Sequence, residues 1–124
     1  MTQPAGTPTD VVVAVPVREG RRLGRSWGKA PVVALATVRD GEVADWAEHE
    51  VRWDVSHDEG HHGSHHARIV RFLREHGVTA VAADHMGDPM VHTLHRLGVV
   101  VVLGAGDDGE AAALAAASRV APPA

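Results

Sequence analysis

The run from Val11 to Val17 constrains the fold of this chain more than any other stretch. Its residues are apolar and mostly β-branched, with Pro16 near the end. A strand without polar alternation must be buried on both faces, as the central strands of α/β sheets are. We therefore expect this run to form the central strand of a sheet with helices on both faces.

The other apolar segments alternate between strand and helix patterns. The Asp40-Gly41 pair suits a two-residue hairpin turn, which would make the third strand an antiparallel edge strand. The further strands are expected at residues 31–38, 43–51, 79–83 and 99–103, and the helices at residues 64–76, 88–97 and 107–118. This order predicts an α/β fold with a mixed five-stranded sheet, strand order 3-2-1-4-5, in which strand two is antiparallel to strand one.

Composition limits the possible classes of function. The 124 residues suit one domain at residues 10–118, with tails at residues 1–9 and 119–124. Because the chain has no cysteine, disulfides and thiolate ligands are excluded, and we expect a cytoplasmic protein. A net charge of −4 with scattered arginines does not suit nucleic-acid binding, and no apolar run is long enough to span a membrane.

Histidines are concentrated just before the predicted first helix. Five of the ten lie within residues 57–66, namely His57, His61, His62, His65 and His66. Imidazole is a common ligand for borderline transition metals, so this His-rich loop predicts a metal or metallocluster site. The alternative is a solvated polar loop whose histidines bind nothing.

A second group of candidate ligands follows the fourth predicted strand. His85 lies there, and the N-terminus of the preceding helix should reach the same carboxyl edge of the sheet, where α/β proteins bind ligands. We expect His62 and His66 to extend the buried stripe of Ile69 and Leu73 toward that edge. His61 and His65 form another i, i+4 pair, whereas His92 and His95 lie off the apolar helix face.

The chain resembles the dinitrogenase iron–molybdenum cofactor biosynthesis family from about residue 10 to residue 105. The matching features are the valine-rich first strand, the Gly-Lys-Ala-Pro turn at residues 28–31, the Asp-Gly hairpin, the His-rich loop and the His-Met-Gly-Asp-Pro turn at residues 85–89. The resemblance implies a ribonuclease H-like fold and a non-catalytic protein that binds or carries an iron–sulfur-containing cluster. In the first turn, this chain has Ser26 where relatives often have histidine.

The resemblance also implies a set of site residues. Cofactor-binding residues would be Ser26, Gly28, Met86 and Gly87, and metal ligands would be His57, His61, His62, His65, His66 and His85. The cargo would be the iron–molybdenum cofactor, its precursor or a divalent transition metal, exchanged with metallocluster donor or acceptor proteins of nitrogen fixation. The alternatives are an interaction module with incidental histidines, or a metal-dependent enzyme on a ribonuclease H-like scaffold.

Overall fold

A mixed sheet forms the centre of the fold. The computed structural model describes residues 10–56 and 62–120, with Ser56, His62 and Gly63 described by their backbone alone. The strands are β1 (Val11–Arg18), β2 (Arg22–Leu23), β3 (Val33–Arg39), β4 (Glu42–His49), β5 (Val78–Ala83) and β6 (Val100–Leu103). The helices are α1 (Trp53–Ser56), α2 (His62–Glu75), α3 (Asp88–Arg96) and α4 (Gly109–Ala117). An α/β fold with a mixed sheet is therefore confirmed.

The strand count, and with it the numbered order, differ from the prediction. Within the described residues the sheet has six strands in the order β4-β3-β1-β5-β6, with β2 paired to β1 off this path. β1 is antiparallel to β3 and parallel to β5, which is parallel to β6. The added strand arises because Gly20, with φ of 72°, turns the chain back so that Leu23 pairs with Val17. The five longer strands have the neighbours that the hairpin and the crossovers predict.

The Asp40-Gly41 turn has the predicted conformation. Both residues have positive φ angles, 54° and 77°, which a two-residue hairpin turn of type I′ requires. The turn returns the chain antiparallel, so that Glu42 pairs with Arg39 and β4 becomes an edge strand. β4 ends at His49 rather than near Val51, because the chain then leaves the sheet for α1.

Two apolar cores lie on opposite faces of the sheet. On one face, Ile69 and Leu73 of α2 and Leu94 of α3 pack in one cluster with the Ala14 side of β1. On the other face, the small side chains of α4 cluster with the Val13 side of β1. β1 contributes buried side chains to both clusters, as its apolar run predicts. Helices on both faces are therefore confirmed.

Glycine and aspartate residues mark several of the helix ends. α2 begins at His62 and ends at Glu75, and Gly77 with φ of 66° follows it. The sequence favours Asp88, directly before Pro89, as the N-cap of α3, but Gly87 is the N-cap and Asp88 is the first helical residue. The sequence offers Asp107 and Asp108 as N-caps of α4, and Asp108 is the residue that caps it. No helix among residues 10–56 and 62–120 combines the length and apolarity needed to cross a membrane.

Candidate metal centre

A pocket of about 450 Å³ lies where the carboxyl end of β5 meets the start of α2. We call it the His pocket. It is lined by Ser26, Trp27, Gly28, Lys29, His65, His66, His85, Met86, Gly87, Pro89 and Met90. The expectation that the start of the His-rich helix and the exit of β5 share one edge is confirmed. All four residues predicted to bind a cofactor lie in this lining.

The wall formed by residues 26–29 is held in place by backbone pairing and by a buried tryptophan. Ser26 bridges His85 as in a parallel sheet, and the Trp27 N–H donates to the His85 carbonyl at 3.1 Å. Trp27 is fully buried and packs against Trp53 with ring centroids 5.1 Å apart. Trp27 is thus part of the core rather than a mobile cover, and it fixes Gly28 at the pocket.

His65 joins α2 to this wall. It is only 5% exposed, and its Nε2 lies 2.8 Å from the Gly28 carbonyl oxygen. A carbonyl can only accept, so Nε2 carries the proton and donates. A metal ion could use Nε2 only after displacing this hydrogen bond. His65 therefore acts at this nitrogen as a positioning residue, holding the Gly28 turn against α2.

The prediction that His66 continues the buried stripe of α2 is wrong. His65, Ile69 and Leu73 are the buried residues, each four positions apart, whereas His66 is half-buried. The reason is that the buried side chains of α2 follow an i, i+4 spacing, and the residue four positions before Ile69 is 65 rather than 66. The side chain of His62, expected on the same stripe, lies outside the described residues, as do His57 and His61.

Of the described imidazoles that line the His pocket, His66 and His85 remain open to a ligand. His85 is exposed and His66 is half-buried, with its ring centroid 6.4 Å from that of His65. Neither side chain forms a hydrogen bond or an ion pair with the described residues. Their ring nitrogens are therefore accessible as donors to an incoming metal. His92 and His95 on α3 are exposed and do not line this pocket.

The donor set of the His pocket favours a borderline or soft metal. Among the described residues, its lining includes imidazoles and the thioethers of Met86 and Met90 but no carboxylate, and Lys29 is the one residue there with a fixed charge. Magnesium and calcium prefer carboxylate and carbonyl oxygens, whereas imidazole suits iron, nickel, copper and zinc. The described residues hold no group of three or more histidine or acidic side chains placed to bind an ion. The pocket fits a ligand that brings further donors of its own.

A second pocket, of about 620 Å³, lies at the same edge of the sheet. We call it the Arg–Asp pocket; it is lined by Arg18, Leu23, Gly24, Arg25, Asp84, Gly104, Gly106 and Asp107. Sequence reasoning missed that Gly104, Gly106 and Gly109 have the Gly-x-Gly-x-x-Gly spacing of dinucleotide-binding loops between a strand and a helix. That spacing was the signal available for finding this pocket.

The structure argues against phosphate binding by this glycine motif. Two aspartates, Asp107 and Asp108, stand between its last two glycines, and Asp108 Oδ1 accepts a hydrogen bond from the Glu110 N–H at 3.2 Å, which uses the helix N-terminus. The Leu23 N–H donates to the Asp107 carbonyl at 2.7 Å, so the β2 turn lies against the loop. The glycines therefore serve packing and chain direction here.

Comparisons with known proteins agree with this architecture. Residues 9–119 match the family described as dinitrogenase iron-molybdenum cofactor, Nitro_FeMo-Co, and the chain belongs to that family. No curated protein sequence matches it significantly. Among solved structures, PH0822 is 20% identical with a TM-score of 0.60, over 76% of this chain and 77% of that one.

A second solved relative is MJ0327 of Methanocaldococcus jannaschii, provisionally named a dinitrogenase. Its crystal structure is 15% identical with a TM-score of 0.59, over 90% of this chain and 93% of that one. Its NMR structure gives 13% identity and a TM-score of 0.60, over 92% and 93%. At these low sequence identities, the similarity to solved structures shows a shared fold and nothing more. The connection with the iron–molybdenum cofactor comes from the family match.

Proposed function

We propose that this protein is a non-catalytic carrier that binds an iron–sulfur-containing metallocluster, the iron–molybdenum cofactor or a precursor, in the His pocket. The observation that carries the proposal is the pairing of His66 and His85 across one pocket, with their imidazoles open to a ligand. The family supplies the class of cargo. His57, His61 and His62 would add three more histidines of the predicted set.

A cluster suits the His pocket better than a bare ion does. A structural ion site needs about four protein donors around one ion, whereas each iron of a cluster is coordinated in part by the cluster's own sulfides and needs fewer protein ligands. The His pocket has a volume of about 450 Å³ and offers two accessible imidazoles next to a buried thioether. These groups suit a ligand that supplies part of its own metal coordination. A divalent transition metal with exogenous ligands is the simpler cargo that the same residues support.

Catalysis on a ribonuclease H-like scaffold is the less favoured function. Such an enzyme would need clustered carboxylates for two metal ions, including one on the central strand. β1 reads Val-Val-Val-Ala-Val-Pro-Val-Arg and offers none. An interaction module with incidental histidines is a further alternative, which predicts no metal binding at this pocket.

Anaerobic titration with Fe²⁺ and with tetrathiomolybdate tests the proposal. We expect both probes to quench the fluorescence of Trp27, which lines the pocket, and metal to stay bound after desalting. A His66→Ala/His85→Ala double variant should bind at least about a hundredfold more weakly, because both accessible ligands are lost. A carrier should also release the metal–sulfur unit chemically unchanged, as read from its absorption spectrum.

The matched control is a His92→Ala/His95→Ala double variant, which removes two exposed histidines from α3. We expect wild-type affinity for both probes. Equal losses in the two double variants would contradict the proposal and assign the binding to unspecific surface histidines. Wild-type affinity in the His66/His85 variant would instead favour the interaction module.

A further inference from the structure

Two histidines that are distant in sequence meet far from the His pocket. His49 ends the edge strand β4, and His76 directly follows α2. Their ring centroids lie 4.9 Å apart with planes inclined by 55°. Phe72 packs against both, 4.6 Å from the His76 ring and 5.6 Å from the His49 ring. The fold therefore presents an imidazole pair supported by an aromatic side chain.

The separation of the two rings suits a shared metal ion. Imidazoles that bind one ion through bonds of about 2.0–2.1 Å have ring centroids about 4.5–5.2 Å apart for bond angles between a right angle and the tetrahedral value. The observed 4.9 Å falls within that interval. To share an ion, each ring would have to turn one of its nitrogens toward the ion.

Accessibility and charge also favour a cation here. His76 is exposed and His49 is half-buried, and neither side chain forms a hydrogen bond or ion pair with the described residues. The His76 N–H donates to the Phe72 carbonyl at 3.3 Å, so the residue sits on the last turn of α2. Helix C-termini carry partial negative charge from their carbonyl groups, which stabilises a nearby cation.

We propose that His49 and His76 form a second metal site, which takes one divalent borderline transition ion such as Zn²⁺, Ni²⁺ or Cu²⁺, with water completing its coordination. The ion would connect the edge strand β4 to the end of α2. Residue 76 lies ten positions beyond His66, about 15 Å along the helix axis. The site is therefore separate from the His pocket and does not depend on the cargo proposed there.

Paramagnetic NMR can distinguish the two sites. On addition of substoichiometric Cu²⁺ to the full chain, we expect the amide signals of residues 48–50 and 75–77 to broaden, separately from any broadening around His66 and His85. His49→Ala and His76→Ala should each abolish the broadening at both of these segments. Each should also lower Zn²⁺ affinity at this site by about tenfold or more, because the second imidazole acts at high effective concentration.

The controls separate this proposal from the function of the His pocket. His66→Ala/His85→Ala should remove broadening around that pocket and leave residues 48–50 and 75–77 affected, while His95→Ala should change neither region. Thermal denaturation without metal should show that His49→Ala and His76→Ala are folded. If residues 48–50 do not broaden, or if they still broaden in His76→Ala, the rings are close for aromatic packing alone and the proposal is overturned.

Discussion

The His pocket and the Arg–Asp pocket lie side by side at the carboxyl edge of one sheet, yet they are built differently. The His pocket is backed by large buried side chains, Trp27 and Trp53, and its polar groups face an open ligand space. The Arg–Asp pocket is formed by turns, with Arg18 and Arg22 each 3.6 Å from the exposed Asp107 carboxylate. Topology thus provides two places for a ligand, and the side chains decide which chemistry each supports.

Arg18 and Asp107, two of the charged residues that line the Arg–Asp pocket, form an ion pair with each other. Arg18 also donates from Nε to the Leu23 carbonyl at 3.2 Å, which holds the turn that forms the pocket. Ion pairs with Asp107, whose side chain is 77% exposed, contribute little to stability because water screens them. Arg25 forms no ion pair or hydrogen bond with the described residues and projects from an exposed turn. Substitutions here should therefore cost less than substitutions in the wall of the His pocket.

The largest expected difference concerns Trp27. Trp27→Ala removes a fully buried indole between the His pocket and the Trp53 ring, so the free energy of unfolding should fall by about 3–5 kcal/mol. Arg25→Ala should change it by less than about 0.5 kcal/mol. Urea denaturation of both variants measures the contrast, with Trp27→Phe as an intermediate case. Equal losses in Trp27→Ala and Arg25→Ala would remove the distinction between the two walls.

Two glycine substitutions should reverse this order of stability losses, with the larger loss at the glycine motif of the Arg–Asp pocket. A Cβ at Gly109 would lie 2.5 Å from the Arg21 carbonyl oxygen and 3.2 Å from the Trp46 ring, where backbone cannot give way cheaply. Among the described residues, a Cβ at Gly28 would meet only His65 Nε2, at 3.9 Å. Gly109→Ala should therefore lower the free energy of unfolding by about 2–3 kcal/mol, and Gly28→Ala by less than about 1 kcal/mol.

Thermal and urea denaturation of the two alanine variants provide the measurement. The turn before β2 should move away from α4 in Gly109→Ala, since the added Cβ would lie too close to the Arg21 carbonyl oxygen. A Gly28→Ala variant that is less stable than Gly109→Ala would mean that the His pocket wall is the less tolerant of the two. Metal binding is a separate measurement, because the methyl group added in Gly28→Ala would extend into the His pocket.

A smaller effect is expected from His65, which connects the His pocket to the core. His65→Ala leaves the partly buried Gly28 carbonyl without its donor and should lower the free energy of unfolding by about 1–2 kcal/mol. His66→Ala, one residue along the same helix turn and half-buried, is the matched control with a change below about 0.5 kcal/mol. Urea denaturation should rank the two in this order. The reverse ranking would contradict the positioning role of His65.

Much of this arrangement is predictable from local pattern. The apolar run of β1, the positive-φ turn at Asp40 and Gly41, and the caps of α4 each follow from a few adjacent residues. The choice between His65 and His66 is not predictable in this way, because both fit a helical stripe and only packing against the Gly28 turn selects one. The His49–His76 pair is likewise invisible in sequence, since strand pairing and helix length together bring those rings within contact.

The smallest expected effect lies at the opposite edge of the sheet, where Asp10 precedes β1 and Arg39 ends β3. Arg39 donates from Nε and one Nη to the two Asp10 carboxylate oxygens, both at 2.7 Å. These hydrogen bonds hold the pKa of Asp10 below its usual value, despite partial desolvation, and the Arg39 charge adds to the effect. A lowered folded-state pKa means that the pair stabilises the fold above the ordinary carboxyl pKa of about 3.9 and that this contribution disappears as the pH falls through the lowered value.

Comparison of Asp10→Asn with the wild type should show this dependence without involving either pocket. At pH 7 the variant should melt lower by at most about 2 °C, because an exposed ion pair is screened by water. Below about pH 4 the difference should shrink toward zero, since protonation removes the same charge from the wild type. Thermal denaturation followed from pH 7 to about pH 3 provides the measurement. A difference that stays constant over that range would assign the effect to local packing at the start of β1 rather than to the charge of Asp10.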